Sequence, residues 1–210
     1  TGAKQSIANV CLSWLDPGDE VLLPAPYWVS YYEIIKLAEG KPIVIPSNIQ
    51  NDFKISASEI EKNISEKTKL LLFSTPCNPS GSVYDESELN EIADMLIKYP
   101  NIYIISDEIY ELINFGTPHF SLASIDKIKD RVITVNGVSK GFAMTGWRVG
   151  YIAAPKWIAD ACTKIQGQVT SATCSIAQMA TKTAMEANPK KVKYMQKAFK
   201  ERRDLMLSLL

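Results

Sequence analysis

The stretch Val132–Ala154, VITVNGVSKGFAMTGWRVGYIAA, decides how the chain is read. Two apolar, strand-like runs, Val132–Val135 and Val149–Ala154, bracket a loop rich in Gly, Ser and Thr. Lys140 and Arg148 sit inside that loop, eight positions apart. A lysine at the mouth of a sheet can serve as a Schiff-base nucleophile, because burial and cationic neighbours lower its pKa. An arginine nearby presents a rigid fork of donors suited to a phosphate dianion. Lysine for an aldehyde and arginine for a phosphate together describe a site for pyridoxal 5′-phosphate. In isolation a solvated surface pair is the commoner reading, so the rest of the chain has to decide.

Upstream, Asn101–Ser106 (NIYIIS) and Lys69–Ser74 (KLLLFS) are continuous apolar runs of the kind buried in parallel sheets. The first leads into Asp107-Glu108-Ile109-Tyr110. A carboxylate where a parallel strand ends sits where open α/β sheets bind ligands, although Asp serves equally well there as a helix N-cap. The second leads into Thr75-Pro76-Cys77-Asn78-Pro79-Ser80-Gly81. Two prolines and a glycine fix the backbone around one asparagine, and an X–Pro bond can be cis at modest cost; a plain tight turn fits as well. Glu20–Leu23 reads as a short buried strand closed by Pro24-Ala25-Pro26, followed by Tyr27, Trp28, Tyr31 and Tyr32 in an amphipathic helix running to Gly40. An aromatic just past a strand end can stack on a flat ring, and more often is core. At the start, Thr-Gly-Ala-Lys-Gln enters a helical pattern to Trp14 with Ile7, Val10, Cys11 and Trp14 on one face. A small-residue turn opening a helix is either a ready anion site or an ordinary helix start.

The remaining pattern gives a strand over Lys41–Pro46, a polar loop over Asn48–Phe53, and helices over Ser58–Ile64, Asp85–Tyr99, Lys156–Gln168 and Ser175–Glu186. In the second of these helices Leu89, Ile92, Ala93 and Leu96 face inwards. A last amphipathic helix starts at Asn188-Pro189, with Val192, Met195, Phe199, Met206 and Leu209 on its apolar face. Strands alternating with helices make the chain α/β, a three-layer α/β/α arrangement with a mostly parallel sheet. The polar segments 74–81, 107–110 and 136–148 all follow strands, so they are expected to gather at one edge of it.

With 210 residues, 46% hydrophobic and 22% charged, the chain can bury one sizeable core. Its 23 basic and 23 acidic side chains give no net field to attract nucleic acid or an anionic membrane, and no run is long enough to span one. Cys11, Cys77, Cys162 and Cys174 show no CxxC spacing, and with His119 as the single histidine a zinc set is not expected. Free thiols used as core filler suit a reducing cytoplasm. His119 reads as a loop or surface residue.

Taken together, these segments resemble the fold-type I pyridoxal-phosphate enzymes, and most closely the class I aminotransferases of the bacterial aspartate aminotransferase type. The resemblance rests on Gly-Ala-Lys-Gln (2–5), Pro-Tyr-Trp-Val-Ser-Tyr (26–31), Asn-Pro-Ser-Gly (78–81), Ser-Asp-Glu-Ile-Tyr (106–110) and Ser-Lys-Gly-Phe-Ala-Met-Thr-Gly-Trp-Arg-Val-Gly (139–150), in that order. It implies that Lys140 forms the Schiff base and shuttles the substrate's proton, and that Asp107 holds the pyridine nitrogen. Tyr110 and Asn78 would face the phenolic oxygen, Asn78 would also meet the substrate carboxylate, and Asn78–Pro79 would be cis. Trp28 would stack on the ring, while Gly2, Ala3 and Lys4, the Ser139 region and Arg148 would hold the phosphate. Many relatives carry a serine where this chain has Gly137, which implies a thinner phosphate cup.

Relatives also run longer at both ends. The chain is therefore expected to be the cofactor-binding large domain over 1–210, without the family's N-terminal segment and C-terminal small domain. Alone it is expected to bind the cofactor weakly and to turn over poorly. The implied reaction is ping-pong transfer of an amino group from an amino acid, with aspartate preferred, to 2-oxoglutarate, in a homodimer. A lyase-type or other transaminase of the same fold, or a non-catalytic cofactor-binding fragment, are the alternatives.

Overall fold

The computed structural model describes every residue except Asn188, so the expected helix start at that position lies outside the described residues. Six strands form one sheet in the order β2-β1-β3-β4-β5-β6. They are β1 (Glu20–Pro24), β2 (Lys41–Ile45), β3 (Thr68–Ser74), β4 (Tyr103–Asp107), β5 (Val132–Gly137) and β6 (Gly150–Ala153). The first five run parallel, and β6 closes one edge antiparallel to β5.

The central strands are apolar on both sides because both faces are covered. Along β3, Leu71 and Phe73 pack with Leu89, Ile92 and Leu96 of α4 (Glu86–Leu96), on the face that also carries α3 (Ala57–Glu61). Leu70 and Leu72 point the other way, into a second core with α1 (Ala3–Trp14), α2 (Ser30–Leu37) and α5 (Lys156–Val169). A side-chain period of two thus feeds two separate helical layers, giving the expected three-layer α/β/α architecture. Asp85 caps α4 in a reciprocal box with Glu88, which fixes where that helix begins.

Two expectations change. β4 ends on Asp107 itself, and the chain continues in turns, so Asp107 caps no helix. Beyond α6 (Ser175–Glu186), the last helix, α7 (Lys193–Leu209), follows a 3-10 turn at Pro189–Val192 and buries none of its side chains. Met195 is half-buried, but the later apolar residues stay exposed, Met206 at 59% and Leu209 at 72%, and among the described residues none buries them. No helix among the described residues is long and apolar enough to cross a membrane.

The order of the strands sets the position of the site. From β1 the chain winds out to β2, then returns past β1 to β3 and onwards, so its direction switches between β1 and β3. The carboxyl ends of strands flanking such a switch form the crevice in which open α/β sheets bind ligands.

Candidate functional site

Each strand end hands one polar segment to that crevice. After β1, a cis Ala25–Pro26 peptide turns the chain so that Trp28 precedes α2. After β3, cis Thr75–Pro76 and cis Asn78–Pro79 bonds flank the asparagine; the second of these is the cis bond the resemblance implies. β4 contributes Asp107, in register with Ser74 of β3 and Val135 of β5. The loop between β5 and β6 supplies Ser139, Lys140 and Arg148, and the start of α1 supplies Ala3 and Lys4.

Nine of the ten site residues expected from the sequence line a single cleft of about 280 Å³: Ala3, Lys4, Trp28, Asn78, Asp107, Tyr110, Ser139, Lys140 and Arg148. The tenth, Gly2, lies behind Arg148. A Cβ on Gly2, whose φ is +84°, would stand 2.5 Å from Arg148 Nη2. The guanidinium also donates through Nη1 to the Thr145 carbonyl at 2.7 Å, which sets its direction at the helix start. Gly137, expected to thin an anion site, also has a packing reason. A side chain there would meet the Val149 carbonyl at 2.8 Å and Gly150 Cα at 3.0 Å.

The charges in the cleft are unequal. Lys4, Lys140 and Arg148 face Asp107 across it, so the cleft as a whole favours anions. Lys4 Nζ lies 4.7 Å from the Trp28 ring centroid and Lys140 Nζ 5.7 Å from that of Tyr110. Asn78 Nδ2 donates to the Tyr110 hydroxyl at 3.4 Å, so these two polar groups converge on one spot. Asp107 is only 3% exposed, and burial pushes its carboxyl up to about 6. The Tyr31 hydroxyl, donating to Oδ2 at 2.6 Å, and the Ile109 N–H, donating to Oδ1 at 3.1 Å, pull in the opposite direction. Burial and the Asp107 carboxylate in turn push the Tyr31 phenol well above its ordinary value.

Sequence reading missed the role of Tyr31. The available signal was its spacing three residues after Trp28 at the start of a helix, which puts both rings on one face; they meet edge to face at 5.5 Å. His119 lies in a loop, as expected, but not at the surface. The imidazole is 14% exposed, with Nε2 3.0 Å from an oxygen of the buried Glu108. Of the four cysteines, all free, Cys11 and Cys162 are buried as expected, whereas Cys77 is half-buried and Cys174 exposed.

A family model described as "Aminotransferase class I and II" matches residues 1–210. A bifunctional aspartate aminotransferase and glutamate/aspartate-prephenate aminotransferase of Petunia hybrida is 48% identical over 210 residues, covering 98% of this chain and 44% of that protein. A probable aspartate/prephenate aminotransferase of Rickettsia typhi is 47% identical, covering all of this chain and 53% of its own. The crystal structure of the aspartate aminotransferase from Rhizobium meliloti superposes with a TM-score of 0.95 at 38% identity, over 98% of this chain and 52% of that one. The chain thus spans about half the length of these relatives, and it belongs to the class I and II aminotransferase family.

Proposed function

We propose that the cleft holds pyridoxal 5′-phosphate and that the protein containing this chain moves an amino group from an amino acid, aspartate foremost, to a 2-oxo acid such as 2-oxoglutarate. The observation carrying this reading is Asp107. A carboxyl buried at a strand end, ionising at about 6 and opening onto a cleft with three cations, is suited to a protonated ring nitrogen. The other residues fit the rest of the group. Trp28 offers a ring face, Asn78 and Tyr110 offer polar atoms for a phenolic oxygen, and the α1 N-terminus with Arg148 and Ser139 offers donors for a phosphate. The names of the relatives, aspartate and prephenate aminotransferases, support the substrate class and add prephenate as a candidate acceptor.

When bound, the cofactor supplies an aldehyde that captures amines and a ring that draws electron density from the substrate's Cα–H bond. The chain's own residues do the rest. Asp107 would hold a proton at the ring nitrogen by presenting a carboxylate whose charged form the Tyr31 hydroxyl and the Ile109 amide favour. Lys140 would hold the group through Nζ, and the same amine would serve as the base for the substrate's Cα proton. Arg148 and the start of α1 would fix the phosphate, and Trp28 would cover a face of the ring and keep water from it. Val29 and Leu37, each 70% exposed and lining a shallow depression with Lys4, support pairing with a second copy. Free thiols support a reducing compartment, the cytoplasm.

Incubation with pyridoxal phosphate, borohydride reduction and peptide mapping test the reading. One pyridoxyl adduct at Lys140 is expected. Label spread over surface lysines, or missing from Lys140, would overturn it.

A further inference from the structure

The segment Asp107–Glu111 carries two sets of side chains. Asp107 and Tyr110 face the cleft, whereas Glu108 and Glu111 face away from it into a polar network. Glu108 is 2% exposed, and Oε1 accepts from Ser106 Oγ at 3.0 Å and Ser121 Oγ at 2.8 Å. Its other oxygen lies 3.0 Å from His119 Nε2. Glu111 Oε1 accepts from Asn136 Nδ2 at 2.8 Å, which ties the same turn to the end of β5 just ahead of Lys140. A buried carboxylate with no lysine or arginine paired to it among the described residues is costly unless its lone pairs are taken up, and three donors take them up here. The ligand atoms of Glu108, Glu111 and His119 lie within 4.8 Å of one another, but the saturation of Glu108 by hydroxyls and imidazole favours a hydrogen-bonded clasp over a metal site.

We propose that Glu108 and His119 are positioning residues for the site: their clasp returns the loop after Tyr110 to the end of β4, and so holds Tyr110 in place and sets the charge that Asp107 experiences. The contacts span 11 and 13 residues and enclose the whole Tyr110 turn, whose own amides bond only locally, Glu111 N to Glu108 O at 2.9 Å and Ile113 N to Tyr110 O at 2.8 Å. The groups around Asp107 are Tyr31 from α2, Ser74 beside it on β3, the cations Lys4, Lys140 and Arg148 that line the same cleft, and Glu108, the next residue in the chain, on the side away from the cleft. Among these, Glu108 is the one that pushes the Asp107 carboxyl up by charge, so whatever offsets Glu108 also acts on Asp107. His119 Nδ1 is buried with no partner among the described residues, so Nε2 alone does the clasping, and a single amide donor should replace it.

The inference rests on the cofactor reading for its purpose, but its test uses the cofactor-free chain. With 13C-carboxyl aspartate, the Asp107 signal (assigned by its loss in D107N) is titrated in each variant. E108Q lowers the midpoint and H119A raises it, each by on the order of half a pH unit, and H119Q returns it to the parent value. Amide exchange at Glu111 and Ile113 quickens roughly tenfold in H119A and recovers in H119Q. Opposite shifts from the two halves of one pair are not what loosened packing gives. S121A, which removes one donor only, must raise the midpoint if H119A does not fold. An Asp107 midpoint unmoved in E108Q and in H119A or S121A, with urea midpoints unchanged, overturns the proposal while leaving the Lys140 adduct standing. A missing adduct with these shifts present would do the reverse.

Discussion

The Tyr31 hydroxyl donates to Asp107 Oδ2 at 2.6 Å, between α2 and the end of β4, with both residues almost wholly buried. Of the forces acting on this carboxyl, burial is the largest and the phenol is the largest opponent of burial. Tyr31→Phe removes the opponent and keeps the ring. The Asp107 midpoint is then expected to climb above about 6, and the chain at pH 7 to lose about 1–3 kcal/mol, the cost of leaving a buried acceptor unpaired. Carboxyl NMR titration and urea unfolding read the two effects. An unmoved midpoint would mean that the Ile109 amide alone governs Asp107.

The same carboxyl predicts a pH dependence for the cofactor-free chain. Its folded value, about 6, lies above the ordinary 3.8, so the unfolded chain releases this proton first as pH rises. Stability from this group is therefore fully present below about 4 and is lost as pH climbs through about 6. Two units correspond to about 3 kcal/mol. Glu59 and Asp85, held low mainly by hydrogen bonds from neighbouring serines and cap amides, act in the opposite sense. The readout is accordingly the parent's stability minus that of D107N, which should fall between pH 4 and pH 7. A constant difference would exclude Asp107 as the source.

How much of this was legible in the sequence depended on whether the signal was local. Leu70–Phe73 could be read as a strand because a run buried on both faces needs no partner to be recognised. Asn78, Asp107 and Lys140 could be placed together because each follows a strand, and a parallel sheet brings strand ends to one edge. Tyr31 and His119 could not be read in this way. Their partners lie 76 and 11 residues off, and nothing in a tyrosine-rich helix or a loop histidine states which carboxylate it will meet. The exposure of α7 was hidden for a related reason. An amphipathic pattern records that a helix has an apolar face but not what covers it.

On the proposed reading, Arg148 would hold the phosphate and not the ring, and the two can be tested apart. Its guanidinium lies against Gly2 at the start of α1, whereas Trp28 and Asp107 line the other parts of the cleft. Arg148→Gln is expected to weaken pyridoxal 5′-phosphate by roughly 10- to 100-fold, the worth of a charged hydrogen bond or two, and to leave pyridoxal, which lacks the phosphate, nearly unchanged. Quenching of tryptophan fluorescence by each compound measures the contrast. Equal weakening of both would show that Arg148 shapes the cleft instead of reading an anion.

Two glycines of the same loop region give a paired test of how tightly α1 is seated. A Cβ on Gly150 would lie 2.2 Å from the Ala3 nitrogen and 2.5 Å from the Gly2 carbonyl carbon, backbone atoms that cannot turn aside as a side-chain tip can. Gly146, four residues earlier in the 3-10 turn Thr145–Trp147, has nothing within 4 Å of such an atom. Gly150→Ala must push β6 away from the start of α1, so it is expected to cost about 1–3 kcal/mol. It should also weaken pyridoxal phosphate, because the displaced amides of Gly2 and Ala3 are those proposed to hold its phosphate. Gly146→Ala is expected to be neutral or to stabilise by a few tenths, through the unfolded chain alone. Urea midpoints of the two variants, measured side by side, decide the point: equal midpoints would mean that the contact between β6 and α1 is loose enough to absorb a methyl group, and that the anion-binding end of α1 is not fixed by Gly150.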